Sequence, residues 1–256
     1  MILTTSLFRE ELKAIVEEVN KHIKCDYVQR YVEIPSIPLL RMQVLFLFLH
    51  DSDVPHEQIR HYIVSTVLIQ MGLDCHEEVT LLPQYSEKGI RNRQLSVLAG
   101  DFFSSKYYFL LAKLGDVALI KELARSIYQI NEVKTKLYTQ PQLSIEDSLK
   151  LRNEIDSALY TSFIPRFSAD LDSIWRGLIE KFSLLERLRN GWYELRWGQA
   201  QKEKQEEETL SLIQTKIEQT AKEIKNTLAY VQKEEVKQGV GELLEAYFPQ
   251  GRVAIQ

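Results

Sequence analysis

The sequence is poor in residues that interrupt helices. It has 10 glycines and 7 prolines in 256 residues, against the roughly 12% that glycine and proline together make up in an average protein. Few breakers, with charged residues mixed among hydrophobic ones, favour long helices over sheets with many turns. A chain of this length can bury a substantial core. We therefore expect an all-α protein.

Charge of one sign, cysteine and long apolar runs are also scarce. The net charge is −4, which gives no basic footprint for nucleic acid. Cys25 and Cys75 are too few for a disulfide scaffold and suit a reducing cytoplasm. The longest apolar run, residues 44–49, is far below the roughly 20 residues of a membrane span. Arg9 interrupts the N-terminal segment before any apolar core of a signal peptide. The sequence therefore predicts a cytoplasmic protein without an integral membrane segment.

Apolar residues recur at helical spacing along nearly the whole chain. Pro35 and Pro38 precede a very apolar helix, which is typical of a central position in a bundle. Ser144 and Asp147 form a predicted capping box. The other predicted boundaries are a first helix capped by Ser6, a helix at 55–72 capped by Asp53 with Pro55 in its first turn, a polar loop at 83–89, helices at 91–114 and 117–137, an interruption at Pro165, and a helix from Ser168 to Asn190-Gly191.

The C-terminal region has no proline between Trp192 and Gly239. It predicts a long helical segment over 192–248, with 201–208 solvated. Apolar residues at three-and-four spacing over 210–231 also allow a coiled coil, although threonines occupy two seam positions. With no linker or repeat in view, we expect residues 1–256 to form a single helical-bundle domain.

Common catalytic motifs are missing. The sequence has no phosphate loop, G-x-S-x-G, H-E-x-x-H or C-x-x-C. Residues 74–78 (DCHEE) hold five metal-ligand types, but successive helix residues point about 100° apart, so a polar helix end is the better interpretation. The histidines are expected to be solvated or partly buried; they are His22, His50, His56, His61 and His76.

An aromatic band lies in the predicted helix 91–114. Positions 102, 109 and 113 share one face, and positions 103, 107 and 110 share another. A helix that is apolar on two sides is buried on two sides, as in a core helix or in one shared with a second subunit.

Gly100-Asp101, in LSVLAGDFFSSKYYFLLAKLGD, resembles the Gly-Asp helix of the trans-isoprenyl diphosphate synthases. The flanking segments YIVSTVLIQMGLDCHEEVT and IKELARSIYQINEVKTKLY extend the resemblance over about 35–190. The sequence is most similar to a divergent branch, the small subunits (component I) of heterodimeric heptaprenyl diphosphate synthases. The resemblance implies an all-α isoprenyl-synthase-type bundle.

Catalytic members of that family use two aspartate-rich motifs to hold the Mg²⁺ ions that bind the diphosphate leaving group. The first motif aligns with residues 71–75 and the second with 182–190, where Glu186 is retained while Arg187 and Asn190 replace carboxylates. The position of a diphosphate-binding lysine falls on Ile155-Asp156, and Arg41 is a remnant of a Gly-Lys-Arg motif. No D-D-x-x-D occurs in the sequence.

The resemblance therefore implies a chain without catalytic, cofactor-binding or metal residues, inactive alone, with Mg²⁺ in a large catalytic partner subunit. The heterodimer would extend farnesyl diphosphate with isopentenyl diphosphate to a heptaprenyl or hexaprenyl product for the menaquinone side chain. The small subunit would stabilise the active geometry of its partner or line the far end of its elongation tunnel. The partner interface is expected to include Phe102, Phe103, Tyr107, Tyr108, Tyr128 and Ile130.

Two alternatives compete with this interpretation. One is a helical adaptor, unrelated to isoprenoids, that uses 201–236 as a coiled-coil arm. The other is an active terpenoid enzyme with a remodelled acid cluster at Asp74, Glu77 and Glu78.

Overall fold

The computed structural model describes residues 8–79, 86–140, 142–167, 172–197 and 204–248. These residues form helices and no strand. The elements are α1 (Arg9–Ile23), α2 (Asp26–Tyr31), α3 (Leu39–Asp51), α4 (His56–Glu77), α5 (Glu87–Lys113), α6 (Val117–Thr139), α7 (Ile145–Thr161), α8 (Ile164–Phe167), α9 (Asp172–Trp197), α10 (Lys204–Thr227), a short 3-10 turn (Leu228–Tyr230) and α11 (Glu234–Tyr247). The predicted all-α fold class is confirmed.

Helices α3 and α4 form the centre of the bundle. Nearly every side chain of α3 is buried, as its all-round hydrophobicity predicts. It packs against α4, α9 and α11, and α4 also packs along α5 and α1. No helix in the described ranges is both long and apolar enough to cross a membrane.

Helix caps explain several boundaries. The predicted capping box at Ser144 is confirmed, since the Asp147 backbone N–H donates to Ser144 Oγ at 3.0 Å. Helix α5 begins earlier than predicted, because Ser86 Oγ accepts a hydrogen bond from Gly89 N at 3.1 Å. Residues 87–89 are therefore helical, whereas 83–85 of the predicted loop lie outside the described residues. The predicted caps Ser6 and Ser168 also lie outside them.

The prediction that Asp53 caps the following helix is wrong. Asp53 has a left-handed backbone conformation, with φ 54°, and its carboxylate accepts a hydrogen bond from Lys233 Nζ at 2.6 Å. Helix α4 begins directly after Pro55 and continues five residues beyond its predicted end at Gly72.

Asp116 joins three elements near the beginning of α4. Its Oδ1 caps α6 by accepting from Leu119 N at 3.1 Å, and Arg166 of α8 donates to both carboxylate oxygens at 2.6 and 2.9 Å. Tyr62 Oη donates to Oδ2 at 2.8 Å. Burial acts to raise the pKa of Asp116, but these donors outweigh it and hold the pKa below its usual value.

The C-terminal region differs from its predicted boundaries. Helix α9 passes through Asn190-Gly191 and ends at Trp197. The uninterrupted stretch expected up to Gly239 is broken at 231–233, where the Lys233 backbone N–H donates to Asp51 Oδ1 at 3.2 Å and Lys233 Nζ donates to the His50 carbonyl at 2.6 Å. These long-range hydrogen bonds end one helix and start α11.

The apolar stripe that suggested a coiled coil is buried against other helices of the same chain. Ile217, Thr220, Ala221 and Ile224 of α10 are buried, and α10 packs along α9. The apolar stripe that suggested an adaptor arm is therefore already covered by the fold.

Candidate functional site

A cleft of about 980 Å³ lies between α3, α4, α7, α9 and α10. Asp74 lines it from the segment aligned with the first metal motif, and Glu186, Arg187 and Asn190 line it from the second. The two segments, far apart in sequence, therefore border the same cavity. Its rim is apolar and includes Leu149 of α7 and Leu212 of α10.

The cleft floor is an alternating chain of acids and arginines, which we name the Arg41 network (Arg41, Asp156, Glu186 and Arg187). Arg41 Nε lies 2.7 Å from Glu186 Oε2, and Arg41 Nη1 lies 3.8 Å from Asp156 Oδ1. Arg187 Nε lies 2.5 Å from Asp156 Oδ2. Arg41, Asp156 and Glu186 are each less than a fifth exposed. Charges this buried are costly unless paired, and here each one has an opposite neighbour.

Nearby acidic groups keep the Arg41 guanidinium charged. Burial opposes the charge on Arg41, but the surrounding acidic groups, Glu186 foremost, hold its pKa above the usual value. Arg41 also lies 5.7 Å from the Tyr160 ring centroid, within cation–π range. Burial raises the pKa of Tyr160, so its hydroxyl stays neutral.

Gln70 bridges Asp74 and the Arg41 network by hydrogen bonds. Gln70 Nε2 donates to Asp74 Oδ1 at 2.7 Å, while Arg41 Nη1 donates to Gln70 Oε1 at 3.3 Å. Burial raises the pKa of Asp74, because desolvation outweighs the hydrogen bond from Gln70 and the attraction of Arg41. This carboxyl is therefore less prone to carry a charge than an ordinary aspartate.

The cleft does not suit the Mg²⁺ ions that the fold family implies. Magnesium prefers freely available oxygen ligands, usually carboxylates with several waters. Here the Asp156 and Glu186 carboxylates already pair with guanidinium nitrogens. A divalent ion beside Arg41 and Arg187 would also meet two positive charges at short range. The residues present fit internal ion pairing rather than metal binding.

The alternative acid cluster does not converge on one point. Asp74 faces the cleft, whereas Glu77 pairs with Lys134 Nζ at 2.5 Å and accepts from Tyr138 Oη at 2.7 Å, both on α6. Glu78 is exposed at the end of α4. Three carboxylates with separate surroundings cannot share a metal ion.

The Gly-Asp helix packs very closely on α4. A Cβ on Gly100 would lie 2.6 Å from the His76 ring, and a Cβ on Gly72 would lie 2.7 Å from Ser104 Oγ and 3.0 Å from the Gly100 carbonyl. Glycine at both positions therefore permits the close approach of α4 and α5.

The six predicted interface residues separate into two groups. Phe103, Tyr107 and Ile130 are at most 1% exposed and pack inside their own chain. Phe102 is partly buried under Lys106 Nζ, which lies 4.5 Å from its ring centroid. Tyr108 and Tyr128 are 48% and 70% exposed. Only the last three side chains are placed where a partner chain could reach them.

The exposed side of α5 is apolar over much of its length. We name it the outer α5 face and define it by Val97, Leu98, Tyr108 and Phe109, which are 39–67% exposed. Their spacing places them on one side of the helix. Sequence analysis placed Phe109 on the same face as Phe102 but did not select Val97, Leu98 or Phe109 as contacts. Exposed apolar groups that share one helix face are typical of interaction surfaces.

Comparisons with known proteins agree with this architecture. Residues 25–245 match the family model described as heptaprenyl diphosphate synthase (HEPPP synthase) subunit 1. The chain is 38% identical over 138 residues to heptaprenyl diphosphate synthase component 1 of Geobacillus stearothermophilus, a match that covers 54% of this chain and 59% of that relative. The aligned region thus spans little more than half of the relative's length.

Two solved structures show the same fold at low identity. A polyprenyl synthase from Caulobacter crescentus CB15, complexed with calcium and isoprenyl diphosphate, superposes with a TM-score of 0.69 and 14% identity, covering 97% of this chain and 96% of that one. Heptaprenyl diphosphate synthase from Staphylococcus aureus gives a TM-score of 0.68 with 12% identity, covering 96% and 99%. Together with the family match over most of its length, this shows that the chain belongs to the family of heptaprenyl diphosphate synthase subunit 1.

Proposed function

We propose that this chain is the non-catalytic subunit of a heterodimeric heptaprenyl or hexaprenyl diphosphate synthase. The observation that carries the proposal is the Arg41 network, in which guanidinium groups pair with the carboxylates on the cleft floor. Expelling pyrophosphate develops negative charge that requires cations held against the leaving group. A floor whose charges are internally neutralised offers no place for those cations.

The catalytic chemistry then belongs to a large partner subunit. That subunit would hold Mg²⁺ and extend farnesyl diphosphate with isopentenyl diphosphate, and the product would serve as the menaquinone side chain. Support for this assignment comes from the family match and from the component 1 relative. A cytoplasmic location is part of the proposal and suits two cysteines that are both free thiols.

The outer α5 face is the proposed contact with that partner. Tyr108 and Phe109 are large, exposed aromatic side chains of the kind that anchors interfaces. Phe102 and Tyr128, from the sequence-based prediction, remain candidates at its border. Phe103, Tyr107 and Ile130 would act indirectly, by supporting α5 and α6 from inside the chain.

The small subunit would act on its partner in two ways. It would favour the competent arrangement of the partner's helices, which requires that it bind that arrangement more tightly than others. Its aromatic side chains would also close the far end of the elongation tunnel, so that their bulk limits the product. Replacing Phe109 or Tyr108 with alanine is then expected to lengthen the product without abolishing turnover.

Reconstitution tests the proposal. Each purified subunit and their mixture would be assayed with farnesyl diphosphate, isopentenyl diphosphate and Mg²⁺, with product length measured by chromatography. We expect activity in the mixture alone. A partner subunit that gives the same rate and product length without this chain would refute the accessory role.

A further inference from the structure

Three potential metal ligands from three helices meet outside the cleft. Glu11 of α1, His50 at the end of α3 and His56 at the start of α4 each place one ligand atom within 4.8 Å of the other two. His56 Nδ1 lies 3.0 Å from Glu11 Oε2. None of these residues lines the cleft. The cluster is therefore separate from the site described above.

His50 has the properties of a metal-binding imidazole. Its ring packs between aromatic neighbours, with centroids 4.6 Å from Phe8 and 5.4 Å from Phe46. Its Nε2 is buried and has no hydrogen-bond partner among the described residues. Burial lowers the pKa of His50, which favours the neutral ring that metal ions bind. A buried ring nitrogen without a partner is costly, and only coordination at Nε2 itself would remove that cost.

A further carboxylate lies near one of these residues, His50. Glu235 Oε1, at the start of α11, is 4.0 Å from His50 Nδ1. The neighbouring cation, Lys233, is engaged elsewhere, because its Nζ donates to the His50 carbonyl and to Asp53, both at 2.6 Å. Glu235 is about half exposed, so its side chain could move toward an ion held by the other three residues.

The donor set and the spacing determine the class of metal. Imidazole nitrogens suit zinc and other borderline transition metals, in contrast to the all-oxygen sites of magnesium and calcium. Tetrahedral zinc, with metal–ligand distances near 2.1 Å, places its ligand atoms about 3.4 Å apart. The pair formed by Glu11 and His56 is already near that distance, and both side chains are exposed enough to move toward His50.

We propose that Glu11, His50 and His56 form a binding site for one divalent transition-metal ion of the zinc class, with Glu235 as fourth ligand. The ion would link α1 to the corner between α3 and α4 and to the beginning of α11. Because it lies outside the cleft, its role is structural. It fastens the N-terminal helix to the core.

Metal titration of the full-length chain, prepared without a polyhistidine tag and stripped with EDTA, tests this inference. We expect Zn²⁺ to bind with a stoichiometry of one ion per chain by calorimetry and to raise the temperature of thermal unfolding. Co²⁺, as a spectroscopic probe, is expected to give the intense visible absorption of a tetrahedral site. Millimolar Mg²⁺ should not compete.

Variants at exposed ligands keep the test independent of folding. His56→Gln and Glu11→Gln change exposed side chains, so the chain should still fold, and each is expected to weaken Zn²⁺ binding about 100-fold. His61→Gln is the matched control. His61 also lies on α4, but its Nδ1 is hydrogen-bonded to the Glu57 carbonyl and is not part of the proposed site. The absence of saturable binding, or equal affinity in wild type and H56Q, would overturn the proposal.

Discussion

The cleft floor and the outer α5 face differ in whether their side chains have partners within the chain. In the cleft, Arg41 and Arg187 pair with Asp156 and Glu186, so the charged groups have partners within the same chain. On α5, large apolar side chains such as Phe109 remain exposed. The cleft that the two motif-aligned segments line has its charges paired internally, while the apolar side chains on the surface of the Gly-Asp helix are uncovered.

This difference separates a site whose charges are paired within the chain from a surface that lacks such cover. A cleft whose acids are neutralised by arginines stabilises the fold and leaves no ligands for catalytic ions. An apolar helix face is a cost in isolation and becomes favourable when a second chain covers it. The molecule therefore combines the isoprenyl-synthase fold with an exposed apolar helix face.

The largest expected effect comes from removing the central cation of the cleft. Arg41→Met leaves Glu186 without its partner in a site less than a fifth exposed, so we expect the free energy of unfolding to fall by about 3–5 kcal/mol. Urea denaturation measures this change. The double variant R41M/E186M removes both charges and should recover most of the loss. A fall in the free energy of unfolding of less than about 1 kcal/mol in R41M would mean that the ion pairs of the Arg41 network contribute little to stability.

The ion pair between Asp116 and Arg166, outside the cleft, gives a reference value for the loss of stability expected at Arg41. Asp116→Asn removes the charge that binds Arg166 and should cost about 2–3 kcal/mol at neutral pH. Because the folded pKa of Asp116 is below its ordinary value of 3.8, its contribution is complete above that value and is lost as the pH falls through the folded pKa. The stability difference between wild type and D116N should therefore shrink below about pH 4. A difference independent of pH would exclude the charge as its cause.

The outer α5 face is tested by placing a charge on it. Phe109→Glu should weaken binding of the catalytic subunit by about 30-fold, or 2 kcal/mol. The unfolding free energy of the isolated chain should change by less than about 0.5 kcal/mol, because the side chain is already 67% exposed. Leu212→Glu is the control, since Leu212 on α10 is 71% exposed but lies at the cleft rim. Equal losses of affinity in F109E and L212E would place the interface elsewhere.

The smallest effect is expected at Asp74, an acid within the segment aligned with the first metal motif but not at one of its carboxylate positions. Asp74→Asn preserves an oxygen that can accept the hydrogen bond from Gln70. The steady-state rate of the reconstituted complex should stay within about twofold of wild type, a barrier change of about 0.4 kcal/mol. A hundredfold fall in kcat with an unchanged unfolding free energy would show that Asp74 takes part in the chemistry.

Local patterns in the sequence predicted the fold well. The apolar run of α3 predicted a central helix, and Ser144 predicted the start of α7. The family resemblance aligned residues 71–75 and 182–190 with two motifs that act together, and residues of both segments line the same cleft. Each of these inferences depends on a short segment or on a resemblance that spans much of the chain.

Long-range contacts were beyond sequence reasoning. Arg41 and Asp156, 115 residues apart, meet only in the folded chain, although a lone charge within an apolar helix indicated that a buried partner must exist. The C-terminal break depends on hydrogen bonds between Lys233 and the end of α3. The burial of Phe103 and Tyr107 follows from which side of α5 faces α4, which two-sided hydrophobicity alone does not decide.

The central claim is that catalysis belongs to the partner and that this chain supplies none of the metal ligands. Its most direct test is a heterodimer in which alanine replaces the aspartates of the partner's own metal-binding motifs, assayed with Mg²⁺ and both diphosphate substrates. The account predicts that this heterodimer assembles normally and releases no pyrophosphate above background. Mg²⁺-dependent pyrophosphate release that disappears when Asp74, Asp156 or Glu186 of this chain is replaced would contradict it.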